Sequence, residues 1–290
     1  MMAGRRLIDL SIPAKRYRLD IHSRGFETVA AAKAEDRKRA KLLRKSAAQH
    51  GGEWGNRVRN LADQLDPDIH PEIPNTLASF RYVRRRRIQV IGNLWRMIDR
   101  YGAQKVRRCD VVKTSWSRDV AELGQQSAER LNAEFRSTLN RAGASKANGF
   151  LFAVLHGDFD PEKQAFHLHY HVVASPEMLA VVKAIRAKKR KGFFEEKAKR
   201  STASVAQPVR ISQRAMDDVP YALGYLLKSY WMQKSSERRN GQTLKKLRGR
   251  GKRIGEPFHS EYLLWLHQCD IKDLILMMGV RIGKDGFVVI

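Results

Sequence analysis

Residues 166–174, FHLHYHVVA, alternate apolar and polar positions with a period of two, and an apolar run at 150–155 precedes them across the turn-rich stretch 158–164. The pattern predicts a β-hairpin. Elsewhere the spacing is helical. Residues 79–100 carry Val83, Ile91, Leu94, Trp95 and Ile98 on one face, and residues 117–141 carry Val120, Leu123, Leu131, Phe135 and Leu139. Ser175 and Pro176 form a helix start, so 177–189 reads as a helix burying Met178, Leu179, Val182 and Ile185. Further helices are expected at 28–49, 221–233 and 260–278, and strands at 106–115 and 205–211, the second near an edge because of Pro208. A last hairpin turns at Lys284, Asp285 and Gly286.

That order predicts an α+β fold. Its central, largely antiparallel sheet carries the histidines, and flanking helices cover it, one of them bearing two tyrosines. Residues 66–74, with their prolines, read as a linker, so three regions are expected. Residues 1–78 form a basic, partly helical extension, 79–235 the central domain, and 236–290 a basic linker with a small helical and hairpin segment.

Charge narrows the class of partner. Lys and Arg number 56 against 30 Asp and Glu, a formal net charge of +26. Such a surplus favours a polyanion, because each cation laid on a phosphate releases a condensed counterion. Nucleic acid comes first and an anionic membrane surface second. Arg84, Arg85, Arg86 and Arg87 sit on the outer face of the 79–100 helix, and Lys188, Lys189, Arg190 and Lys191 close another. The glycine-bearing stretch 237–253 is a third basic segment. The helix at 28–49 is charged on most sides and reads equally as a solvated surface or a DNA-binding arm. No run reaches the roughly 18 apolar residues of a membrane span. The N-terminus lacks a signal peptide's apolar core, and Cys109 and Cys269 have no partner spacing. The expectation is a cytoplasmic protein facing nucleic acid and no membrane.

The candidate chemistry lies on the hairpin and on one later helix. His167, His169 and His171 leave their strand on one side, and His156 ends the neighbouring strand. One histidine alone is most often a satisfied polar group; three at period two beside a fourth make a ligand set. Tyr221, Tyr225 and Lys228 then fall four and three residues apart, sharing one helical face. Aromatics at that spacing are often core, but here the apolar Leu226, Leu227 and Trp231 point elsewhere. A tyrosine beside a cation and a metal-activated phosphate can attack phosphorus and become an ester.

The pair HLHYHVV and YALGYLLK resembles the HUH endonucleases, which join His-hydrophobe-His to a tyrosine helix. The order of motifs is similar to that of the two-tyrosine rolling-circle replication initiators of plasmids and single-stranded DNA phages. CDVVKTSW sits where that family carries its first motif, and the resemblance covers residues 106–234. It implies that His169 and His171 are metal ligands and that His156 takes the third position, often Glu in the family. His167 is a further ligand or a DNA contact. It implies Mg or Mn as the ion, Tyr225 as the cleaving residue, Tyr221 as the second tyrosine and Lys228 as the motif lysine. Many initiators have Lys before the second tyrosine where this chain has Gly224, which leaves open which tyrosine acts first.

The implied activity is site-specific nicking and rejoining of one DNA strand through a 5′-phosphotyrosine, on a single-stranded or supercoiled origin. No Gly-rich P-loop is present, so unwinding falls to supercoiling or a host helicase, and extension to a host polymerase. A two-tyrosine transposase keeps the same order of motifs, whereas relaxases usually place the tyrosine ahead of the histidines. A non-enzymatic basic DNA-binding protein is the rival of another class. Sequence leaves the oligomeric state open.

Overall fold

The computed structural model describes residues 26–188, 209–212, 216, 219–228, 230–234, 237–239, 242–244, 252–283 and 286–290. Lys189, Arg190 and Lys191, residues 1–25, most of the basic stretch 240–251 and the turn at 284–285 lie outside them.

Two helices open the described chain, α1 (Val29–His50) and α2 (Gly52–Leu65), followed by α3 (Phe80–Tyr101). Strand β1 (Arg107–Asp119) runs into α4 (Val120–Leu123) and α5 (Ala128–Arg141); β2 (Leu151–Asp160) and β3 (Ala165–Ala174) form the hairpin; α6 is Pro176–Lys188. Then come β4 (Val209–Ile211), α7 (Val219–Gly224), β5 (Met232–Gln233), β6 (Glu237–Arg239) and β7 (Gln242–Leu244). The chain ends in α8 (Phe258–Gln268), α9 (Ile271–Leu274), β8 (Ile275–Met278), β9 (Val280–Gly283) and β10 (Gly286–Val289).

The fold is α+β around a mostly antiparallel sheet. Its order is β4–β1–β3–β2–β5, and β8 joins the outer side of β2 as well. Among the described residues only the short β2–β5 pair is parallel. The two middle strands are in register through their whole length, with His156 opposite His169 and Val154 opposite His171. On the side away from the histidines, Tyr170 stacks on Phe135 of α5 at 4.5 Å and meets Trp116 edge-on at 5.2 Å. Its hydroxyl donates to the Asn132 side-chain oxygen at 2.8 Å. The burial of that aromatic layer anchors α5 to the sheet.

Helix α1 leaves one face to solvent and buries the other. Asp36 and Arg39 are fully buried in it. Asp36 accepts from the Ser79 hydroxyl at 2.7 Å, the Phe80 amide at 2.5 Å and the Arg81 guanidinium at 2.9 Å. One carboxylate thus satisfies donors at the start of α3, where Ser79 is itself the N-cap. Arg39 donates to the Ala78 carbonyl at 2.7 Å and lies over the Phe80 ring. The expected linker, 66–74, is held too: Arg81 donates to the Pro71 carbonyl and Arg44 pairs with Asp66 at 2.6 Å. One buried apolar cluster extends from Ala40 in α1 through the sheet to Phe287 in β10.

Three expected elements are revised. The 117–141 helix starts late, because β1 continues to Asp119 and pairs again with β3 beyond an irregularity between Val112 and Ser117. The 260–278 helix divides into α8 and α9, and its last four residues become β8, pairing Ile275–Met278 with Val154–Leu151. A uniformly apolar run has no period to separate a buried helix from a buried strand. The 221–233 helix stops at Gly224, after which Tyr225–Leu227 form a turn. The chain then crosses at Gly157, where an added Cβ would lie 2.6 Å from the Trp231 ring. Trp231 in turn stacks on Tyr262 of α8 at 4.9 Å.

Candidate metal and nucleophile site

The hairpin register sets His156, His169 and His171 on one face of adjacent strands. All three are buried, and ligand nitrogens from each lie within 4.8 Å of one another. Ring centroids are 5.2 Å apart for His156 and His169, 5.0 Å for His156 and His171, and 4.9 Å for His169 and His171.

Hydrogen bonds fix which nitrogen each ring offers. His169 Nδ1 lies 3.1 Å from the His167 carbonyl, which can only accept, so Nδ1 carries the proton and Nε2 keeps its lone pair. His171 Nδ1 lies 2.7 Å from Asp110 Oδ1. Burial would raise the Asp110 carboxyl, but the His171 bond and the charges of His171, His169 and Arg108 together hold it below its ordinary value. It is therefore ionised and accepts, which again points His171 Nε2 at the cluster. Neither nitrogen of the buried His156 has a hydrogen-bond partner of good geometry among the described residues.

Burial is also the main reason the His156 and His169 rings stay neutral. It pushes His169 down to about 4, reinforced by His171, while Asp158 and Asp110 oppose it. His156 is driven well below the ordinary histidine value by burial and then by His171, His169 and Lys228. A neutral imidazole needs to lose no proton before binding a metal. Three imidazoles whose ligand atoms face one another, His156 and His169 among them held neutral by burial, fit a divalent ion. Imidazole donors by themselves suit zinc, iron, nickel or copper, whereas magnesium and manganese prefer oxygen.

His167 is placed elsewhere. Its Nδ1 lies 2.7 Å from the Ser117 hydroxyl and its Nε2 3.3 Å from Asp160 Oδ2, so both nitrogens are engaged away from the three-histidine group. Its contribution to that group is the main-chain carbonyl that orients His169.

The tyrosine region completes the site from the other side. The Tyr225 ring meets the His171 ring edge-on at 5.0 Å. Lys228 Nζ lies 3.5 Å from the Tyr225 ring centroid and Arg108 Cζ 5.1 Å from it. Tyr221, Tyr225, Lys228 and Arg108 line a cleft of about 390 Å³ together with Tyr230, Arg87 and Glu27. The described aromatics of this stretch are unusually open, with Tyr221 48 % and Tyr225 41 % exposed.

No protein-family model, curated protein or solved structure matches this chain. The assignment of function therefore rests on the site.

Of the four arginines expected to face phosphate, only Arg85 is exposed. Arg84 donates to the Glu27 carbonyl at 2.6 Å and Arg86 to the Tyr82 hydroxyl at 3.0 Å. Arg87 is buried against Glu27, at 2.8 and 2.9 Å from its two oxygens. Lys188 ends α6 far along the chain from this face. Two site residues lay outside the sequence expectation, Asp110 and Arg108. Their signal was available: both belong to β1, and Asp110 stands directly opposite His171. Without the register, a single Asp in an apolar strand carries no such meaning.

Proposed function

We propose that this chain is a metal-dependent enzyme that nicks and rejoins a single DNA strand through a tyrosine, as the resemblance to two-tyrosine rolling-circle initiators implies. The observation that carries the reading is the contact of Tyr225 with His171, one member of a buried set of three histidines. A nucleophile candidate and the cations Lys228 and Arg108 line one cleft, and Tyr225 in its wall touches the buried ligand set, an arrangement that a purely DNA-binding surface has no need to build.

His156, His169 and His171 would hold the ion through their cluster-facing nitrogens, Mg or Mn by the resemblance and zinc equally by the donor type. When bound, it supplies Lewis acidity toward a phosphate oxygen. Tyr225 Oη forms the bond to phosphorus and gives up its proton. The bond from phosphorus to the 3′ oxygen breaks, and that oxygen takes up a proton to leave a free 3′-hydroxyl and a 5′-phosphotyrosine. Lys228 and Arg108, both against the Tyr225 ring, place positive charge where the phenolate and the phosphate develop theirs. Tyr221, on the same cleft, is positioned to accept the strand in the rejoining step. Asp110 keeps His171 in the ligating tautomer.

The test mixes the full chain, loaded with manganese, with a random-sequence pool of single-stranded oligonucleotides labelled at the 3′ end. A denaturing protein gel should show label attached to protein, abolished by Tyr225→Phe and by His169→Ala. Tight, salt-sensitive binding with no covalent label under manganese, magnesium or zinc would replace this reading with that of a DNA-binding protein. The pool also returns the preferred sequence, which separates an origin from a mobile-element end.

A further inference from the structure

The tyrosines were expected on one continuous helical face, yet the helix ends between them. Nothing in the residues after Gly224 demands it: Leu226, Leu227 and Lys228 are good helix formers. The cause lies on α3. Arg87, whose side chain is 5 % exposed, donates to the Gly224 carbonyl from one guanidinium nitrogen and to both oxygens of Glu27 from another. Its guanidinium also lies 4.6 Å from the Phe26 ring. In a continuing helix the Gly224 carbonyl would accept from Lys228. Here a charged donor from another element takes that acceptor, Leu226 bonds instead to the Leu223 carbonyl at 2.9 Å, and Tyr225 turns toward His171.

We infer that Arg87, held by Glu27, is a positioning residue that selects Tyr225 over Tyr221 as the first nucleophile. This rests on the tyrosine-transfer reading above and adds to it the residue that decides which tyrosine faces the histidines. With the clamp in place, Tyr225 is drawn off the Tyr221 face and against the ligand set. With the clamp released, α7 is free to continue, and Tyr225 returns to the helical face it shares with Tyr221. The choice is therefore not made by the tyrosines' own neighbours in sequence but by an arginine far upstream and by Phe26 and Glu27 that cover it. The geometry asks little of Arg87 as a DNA contact, since the residue is buried and both terminal guanidinium nitrogens bond within the protein.

Two measurements test it, one with DNA and one without. In the labelled-oligonucleotide assay, Arg87→Met should slow transfer to Tyr225 on the order of 100-fold, the scale of an ångström-sized misplacement of a reacting group. DNA affinity should hold, and mass spectrometry of the adduct should show label moving to Tyr221. In a Tyr225→Phe background, Arg87→Met should restore an adduct that Tyr225→Phe alone lacks. Arg87→Met that lowers rate and DNA affinity together, with all adduct still on Tyr225, would overturn the proposal. The second measurement uses 3-fluorotyrosine NMR of the metal-free chain. The Tyr225 resonance, identified by its loss in Tyr225→Phe, should move in Arg87→Met, and an unchanged resonance would equally reject the clamp. If wild type forms no adduct on any DNA, the enzymatic reading fails while the NMR still decides the clamp. Should Arg87→Met not fold, Glu27→Gln removes the partly exposed end of the pair and is expected to shift the same resonance in the same direction.

Discussion

Asp110 shows how one side chain can decide what a ligand set offers. Its carboxylate holds the His171 proton on Nδ1, so Asp110→Asn leaves the ring in place while allowing it to turn or to present the wrong nitrogen. Loss of such a partner typically lowers metal affinity about 10–100-fold. Calorimetric titration of manganese into wild type and Asp110→Asn should show a drop of that size, with little change in thermal stability of the metal-free chain. The neutral histidines also predict a pH response. His169 titrates near 4 when folded and near its ordinary ~6.5 when unfolded, so between those values the unfolded chain binds the extra proton. Stability is full above about 6.5 and falls as pH drops toward 4, by about 1.4 kcal/mol per pH unit for each such group. Urea unfolding at stepped pH should show a shallower slope in His169→Gln. A slope identical to wild type would mean that this ring is not held neutral.

Among elements, the period of the sequence located what packs against one partner and lost what answers to two. Strands β2 and β3 and helices α3 and α6 lie within a few residues of where the pattern placed them, while α5 keeps its expected end but begins only at Ala128. The end of α7 is not written locally, since an arginine from α3 takes the carbonyl that would extend it. β8 is hidden in an apolar run because both of its faces are covered. The polar joint between α1 and α3 was equally hidden: Asp36 reads as one of many surface charges until its partners in the next helix are known. Asp36→Ala removes the acceptor of the Ser79 hydroxyl and of Arg81 Nε and leaves the buried Arg81 charge without its carboxylate, though its terminal nitrogens keep main-chain carbonyls such as that of Pro71. Breaking a buried pair of this kind costs about 3–5 kcal/mol. Denaturant titration should report that loss, and Asp36→Asn, which retains one accepting oxygen, should lose less.

For the molecule as a whole, the surplus of 56 basic over 30 acidic residues is the largest feature that composition shows, yet much of its visible part serves the fold. Arg39, Arg81, Arg87 and Arg96 are buried, so the charge available to a polyanion is smaller than the net count implies. Binding to single-stranded DNA is still expected to weaken at least tenfold between low and physiological salt, because even a few phosphate contacts release their counterions. Fluorescence anisotropy across a salt series measures this directly. A flat response would remove the charge from any account of binding.

The pairing of β8 with β2 ties assembly of the site to the order of synthesis. The hairpin bearing all three ligands leaves the ribosome long before Ile275, so during translation β2 stands with part of its outer edge uncovered. Leu151, Phe152, Ala153 and Val154 form that edge, an apolar strand of the kind that pairs with other chains when left open. A chain interrupted before β8 is therefore directed toward aggregation, and the strand that carries His156 gains this neighbour only when nearly all of these residues have been made. In this arrangement, incomplete synthesis is expected to end in insoluble protein and not in a soluble fragment.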